Sequence, residues 1–170
     1  MKILIVCLLS LFAYDRAQAQ PYPTKPIKII VGFASGTTVD VLGRLLAPEL
    51  GRILGQSVVV ENLPGASSTI AAASVAKAAP DGYTLMITST ALLTSSSFFK
   101  NLSFNIEKDF AAIALLARVH SMLVIAADNP ISNVTDLIAK LKEQPDQSYY
   151  AIAGTGSAGH LAIELFSITF

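Results

Sequence analysis

Two rhythms of apolar residues alternate along this chain, one suited to strands and one suited to helices. Ile27, Ile29, Ile30 and Val31 form a short, nearly continuous apolar run, the composition of a strand covered on both faces. From Val39 the apolar positions Val39, Leu42, Leu45, Leu46, Leu50, Ile53 and Leu54 recur at helical spacing, and Gly55 follows as a stop signal. Pro48 falls inside that pattern and, lacking an N–H, is expected to bend the helix or restart its second half. Residues 57–61 read as a second strand, Asn62-Leu63-Pro64-Gly65 as a turn, and the alanine-rich residues 68–79 as a second helix. Pro80-Asp81-Gly82-Tyr83 ends that helix, and residues 84–88 read as a third strand. A β-α-β-α-β alternation is the signature of a parallel sheet covered by helices.

Beyond it, a polar stretch (Ser89, Thr90 and residues 94–97) leads into Phe98-Phe99. Residues 111–117 and 122–127 read as two apolar strands, separated by Arg118-Val119-His120-Ser121 and forming one crossing between two lobes. Asn133 with Asp136 three residues on makes a near capping box for a helix over 134–142. Residues 149–153 read as another strand and 157–166 as the start of another helix.

The N-terminus is set apart from this pattern. Lys2, the apolar run 3–12 and the small-x-small triplet Ala17-Gln18-Ala19 predict a signal peptide over residues 1–19, with export and cleavage before Gln20. The apolar run is shorter than the roughly 20 residues of a spanning helix. The single cysteine, Cys7, lies within it, so the mature chain is expected to have no disulfide framework. Cleavage would leave 151 residues with ten basic and eleven acidic side chains. That near-neutral balance lacks the basic face that nucleic acid demands.

The candidate chemistry sits in two small-residue turns. Phe33, Ala34, Ser35, Gly36, Thr37 and Thr38 follow the first strand and open a helix. Gly154, Thr155, Gly156 and Ser157 do the same near the end of the chain, with His160 one helical turn on. Such turns leave backbone N–H groups at the positive end of a helix, which suits a bound anion. Two of them in a secreted chain suggest a receptor that captures a carboxylate without an arginine. Asp40 has two readings: a first-turn acid favoured by the helix dipole, or a group holding a water or a ligand ammonium.

Gly154-x-Gly156-x-x-Gly159 formally matches a dinucleotide fingerprint, the basis of a rival reading as a nucleotide-dependent enzyme. It lacks the acidic residue about 20 positions on that would take the ribose hydroxyl. Ser74-x-x-Lys77 has none of its companion acyl-serine motifs. His120 and His160 are the only histidines, too few for a metal cluster, so neither metal, cofactor nor catalytic set is expected.

Taken together, several stretches resemble the Bug-type extracytoplasmic solute receptors of the tripartite tricarboxylate transporter family. They are Tyr22-Pro-Thr-Lys-Pro-Ile-Lys-Ile-Ile-Val, residues 33–40, Leu54-Gly-Gln-Ser-Val-Val-Val-Glu-Asn-Leu-Pro-Gly, Ala79-Pro-Asp-Gly-Tyr-Thr-Leu, Asp109-Phe110, and Gly154-Thr-Gly-Ser-Ala-Gly-His-Leu with Glu164-Leu-Phe. The resemblance implies an α/β, parallel-sheet periplasmic binding protein of the Venus flytrap type. Residues 20–117 would form lobe one and residues 118–170 an incomplete start of lobe two. It further implies no enzymatic activity, a small carboxylate ligand gripped by both loops and by Ser89 and Thr90, and the transporter's membrane subunits as partners. Within the first loop, Gly32, Ala34 and Ser35 stand where the family usually carries prolines, and Thr37 where it carries a second glycine. Because family members are considerably longer, a truncated receptor fragment without function is the alternative expectation.

Overall fold

The computed structural model describes residues 21–144, 147–152 and 154–170. The expected signal segment, Cys7 included, lies outside the described residues. Three strands, β1 (Ile27–Val31), β2 (Val58–Asn62) and β3 (Thr84–Ile87), form a parallel sheet in the order β2-β1-β3. Among the described residues five α-helices accompany them: α1 (Thr38–Leu54), α2 (Thr69–Ala76), α3 (Thr90–Phe98), α4 (Val134–Glu143) and α5 (Ala158–Thr169), with one 3-10 turn at Ala66–Ser68.

The central strand is the most apolar one. Ile27, Ile29, Ile30 and Val31 are all buried, while Lys28 turns its ammonium to Glu61 on β2 at 2.8 Å. The register sets Ile29 beside Val60 and Leu85, and Val31 beside Ile87. Because side chains alternate along a strand, Ile29 and Val31 share one face with Ile87, and α1 covers it with Ala47, Val39, Leu46 and Leu50. On the opposite face Met86 packs with Ala72, Leu92 and Phe104, drawn from α2, α3 and the segment after α3.

The expected sheet and its covering helices are present, with four differences of detail. Helix α1 runs unbroken through Pro48 to a left-handed cap at Gly55, φ 66°. The lost N–H there is one bond in a 17-residue helix whose inner face is fixed by packing on the sheet. Helix α2 spans Thr69–Ala76, shorter at both ends than the 68–79 pattern.

The Ser/Thr stretch after β3 is a helix, α3. Ser89 caps it by accepting the Ala91 N–H at 3.2 Å. Ser95 returns its hydroxyl to the Leu92 carbonyl at 2.6 Å. Internal pairing of this kind removes the usual penalty of such residues in a helix, and burial of Ala91, Leu92 and Ser95 fixes the element in place.

Residues 111–117, 122–127 and 149–152, expected as strands, are irregular. Ala153, the last residue of the third segment, lies outside the described residues. A strand needs a neighbour to take its N–H and C=O groups, and among the described residues no fourth strand joins the sheet. Apolar composition alone leaves Ile113, Leu115, Met122 and Val124 more than 70% exposed.

The burial of β1 gives a direct test. Ile29→Ala removes a fully buried side chain and is expected to cost about 3 kcal/mol in urea denaturation. Leu45→Ala, on the outer face of α1 and 69% exposed, is expected to change stability by no more than about 0.5 kcal/mol.

Candidate functional site

In a parallel sheet every strand delivers its following loop to the same edge, the usual place of ligands in open α/β sheets. Here β1 leads through residues 32–37 into α1, β2 through residues 63–68 into α2, and β3 through Thr88 and Ser89 into α3. A fourth segment from far along the chain joins them. Ser67 Oγ donates to the Thr155 carbonyl at 2.5 Å, and Thr94 Oγ1 to the Gly156 carbonyl at 2.8 Å. Gly156 is buried with φ 75°, and a Cβ there would lie 3.0 Å from Thr94 Oγ1 and 3.2 Å from the Phe98 ring. Only glycine meets both demands. The start of α5 is thereby seated against Thr94 and Phe98 of α3 and against the loop after β2, whose Ser68 in turn lies against Gly32 of the first loop.

The first loop is organised by Asp40, which is 1% exposed. One carboxylate oxygen, Oδ2, accepts the Gly36 N–H at 2.8 Å, Arg44 Nε at 3.0 Å and Ser35 Oγ at 3.3 Å. The other, Oδ1, accepts Asn62 Nδ2 at 2.8 Å. The Asn62 amide also donates to the Phe33 carbonyl at 3.0 Å, and the Arg44 guanidinium to Asn62 Oδ1 at 2.8 Å. The Arg44 guanidinium, then the Gly36 N–H and the Asn62 amide, hold the Asp40 carboxyl far below the usual carboxylate range, against the opposing effect of burial. With both oxygens engaged, the carboxylate shapes the loop from within.

The predicted positions divide accordingly. Phe33 contributes its carbonyl to Asn62, and Ala34 its carbonyl to the Thr37 hydroxyl at 2.8 Å. The Gly36 N–H turns inward to Asp40 and the Thr37 N–H to Ala34. Among the described residues, the N–H groups of Ser35 and Thr38 meet no protein acceptor. Ser89 is the cap of α3 and Thr90 its exposed first residue. Gly154 and Thr155 are exposed, Ser157 caps α5 by accepting the His160 N–H at 3.2 Å, and His160 accepts the Gly156 N–H. All of these lie on the loops that meet at the sheet edge.

Sequence reasoning missed Arg44, Asn62, Ser67, Ser68 and Thr94. Arg44 stood four residues from Asp40, a spacing that brings side chains together on a helix. The rest gave no local signal. Ala66, Ser67 and Ser68 all have positive φ (44°, 54° and 75°), a left-handed turn without glycine. Its buried end lies against Gly32, where a Cβ would fall 1.7 Å from Ser68 Oγ, and Ser68 Oγ pairs with Thr88 Oγ1 at 3.2 Å.

Among the described residues no group of three His, Cys, Asp or Glu side chains converges as metal ligands would. The glycines at 154, 156 and 159 follow irregular chain in place of the strand a dinucleotide fingerprint requires. The arrangement offers small-residue loops, hydroxyls and helix N-termini, groups that can hold an anion.

Comparison with known proteins identifies the family. The family described as "Tripartite tricarboxylate transporter family receptor" matches residues 42–169. A UPF0065 protein of Bordetella bronchiseptica is 36% identical over 160 residues, 94% of this chain and 47% of that protein. BugT of Bordetella pertussis is 35% identical over 152 residues, 88% of this chain and 47% of BugT. Among solved structures, R. palustris Rpa4515 with adipate superposes with a TM-score of 0.77 at 36% identity, covering 86% of this chain and 49% of Rpa4515. The periplasmic binding protein BugD gives 0.71 at 32%, covering 87% of this chain and 50% of BugD. MatC of Rhodopseudomonas palustris with bound malate gives 0.71 at 29%, covering 86% and 50%. The chain spans about half the length of the relatives it matches.

Asp40 supplies a pH-dependent prediction. A carboxyl whose folded pKa is depressed stabilises the fold fully above its ordinary value of about 4, and that stabilisation fades as pH falls toward the folded value. Asp40→Asn is therefore expected to lower Tm at pH 7 by about 5 °C or more. It should also flatten the loss of Tm that the unsubstituted protein shows between pH 4 and pH 2, read by circular dichroism.

Proposed function

Because this chain belongs to the tripartite tricarboxylate transporter receptor family, we propose that it serves as a periplasmic receptor capturing a small carboxylate for that transporter. It acts without catalysis and without a cofactor, and its partners are the carboxylate and the transporter's membrane subunits. Residues 1–19 direct export, residues 20–117 supply lobe one, and residues 118–170 begin lobe two. The ligand's carboxylate is held by residues 33–38, by Ser89 and Thr90, and by Gly154, Thr155 and Ser157. Asp40 and His160 act behind them through the loops they shape. Supporting this reading are neighbours solved with adipate and with malate, both carboxylates.

The observation that carries it is the tethering of the distant residues 155–156 by Ser67 and Thr94 to the loop after β2 and to α3, which supports a site where amides and hydroxyls replace a cationic side chain. Charge-assisted hydrogen bonds from amides to a carboxylate are short and strong. Closure of the second lobe over the first would then trap the ligand by a hinge motion.

One observation favours a second reading, in which the chain by itself does not bind. The apolar residues between 111 and 127 are exposed, among them Ile113, Leu115, Val119, Met122 and Val124. A contiguous surface of that kind promotes self-association.

Thermal denaturation of the chain without residues 1–19 separates the two. In the receptor reading, millimolar adipate, malate or citrate raises Tm by about 5 °C or more at saturation, while chloride at equal ionic strength does not. An unchanged Tm with all three acids, together with elution as an aggregate in size exclusion, is the outcome of the second reading.

A further inference from the structure

We infer that His160 is the positioning residue of the second loop, and that protonation of its ring undoes the loop shape that grips the ligand. What the loop binds rests on the receptor reading above; how the loop is held does not. The Gly156 N–H donates to His160 Nδ1 at 3.1 Å, so Nδ1 is an acceptor and carries no proton. The ring's proton then sits on Nε2, which faces Glu164 Oε1 at 3.5 Å. The imidazole lies against the Phe98 ring with centroids 5.7 Å apart, and its side chain is 16% exposed.

Gly156 is held on both sides. Its N–H goes to His160, its carbonyl takes the Thr94 hydroxyl at 2.8 Å, and its left-handed φ of 75° sets the direction of the turn. Thr155, the residue before it, is tied to Ser67 through its carbonyl, and Ser157, the residue after it, caps α5. Without the acceptor at Nδ1, the buried Gly156 N–H has no partner, a cost that a short loop relieves by turning away.

A second proton on the ring enters at Nδ1, where it would meet the Gly156 N–H head-on. The charged group facing the ring is Glu164 on its own helix, and Glu164 Oε1 accepts the Tyr150 hydroxyl at 2.6 Å. Helix α3, packed on the other side, presents Phe98 and Thr94, and none of its residues from Thr90 to Phe98 is titratable. The ring is therefore bounded by Glu164 at Nε2 and by the Gly156 N–H at Nδ1, and a change at Nδ1 is read at the loop. Lower pH converts the ring from acceptor to donor and releases the Gly156 N–H, leaving Thr155 and Gly156 held through their carbonyls alone. A ligand gripped by those residues loses affinity with them.

The test is a pH titration of the full chain, isotopically labelled with nitrogen-15, from pH 8 to pH 5, the range in which imidazoles change charge. At pH 8 the His160 ring nitrogens should report the Nε2–H form, and the Gly156 amide should move with the same midpoint as the ring. His160→Asn keeps an oxygen acceptor near the place of Nδ1 and does not titrate, so its Gly156 amide should stay near the pH 8 position throughout. His160→Phe should lose that position at every pH. Adipate affinity by calorimetry should fall about tenfold for the unsubstituted chain over this range and less than twofold for His160→Asn. An Nδ1–H ring at pH 8, or a Gly156 amide indifferent to the His160 titration, overturns the inference even if His160→Phe fails to fold. Coupled titration of His160 and Gly156 without adipate binding at any pH upholds the positioning role and counts against the receptor reading alone.

Discussion

A single buried carboxylate organises the first loop. Asp40 sits in the first turn of α1, where an acid is favoured by the helix dipole, yet its surroundings show a larger role. It gathers a backbone N–H from the loop before it, a hydroxyl from the same loop, the guanidinium one helical turn on, and the amide at the end of β2. A carboxylate so placed tolerates burial because both of its oxygens have donors, one of them the Arg44 guanidinium. Removing any donor leaves charge without compensation, so the loop, the helix start and the tip of β2 hold one another in place.

The pattern extends outward through Asn62. Its amide reaches both Asp40 and the Phe33 carbonyl, so the strand neighbouring β1 in the sheet also fixes the loop leaving β1. Carbonyls of the loop turn toward Asn62 and Thr37, while among the described residues the N–H groups of Ser35 and Thr38 have no protein acceptor. The second loop is held by a different device, hydroxyls of Ser67 and Thr94 gripping its carbonyls. Helix α3 serves both ends of the arrangement: its N-terminus lies at the edge, and its side chains seat Gly156.

Much of this was legible in the chain's alternation of apolar runs. The strands of the sheet were readable because each is a short run rich in apolar, β-branched or large residues and each has its partner strand within about sixty residues. The covering helix α1 announced itself by spacing. Helix α3 did not, because its buried face rests on Ala91, Leu92 and Ser95, and two serines and a threonine conceal the period. The segments between 111 and 127 misled in the opposite direction: their composition is that of strands, but composition supplies no neighbour to pair with. At the site, the two small-residue turns stood out by their glycines. Asn62 looked like any turn residue, and Ser67 meets its partner 88 residues away, a distance that no local pattern encodes.

The left-handed turn at Ala66, Ser67 and Ser68 has a consequence of its own. Three successive L-residues in that conformation cost on the order of 1 kcal/mol each, and glycines there would relieve the whole amount. Glycines would also delete the hydroxyl that holds Thr155 and the one that meets Thr88. The turn behaves like a sprung clip whose tension is retained because its tips are needed. A variant with glycines at these positions would exchange that backbone cost for a freer unfolded chain and for the loss of both tethers, and residues 155–156 would lose one of their two holds.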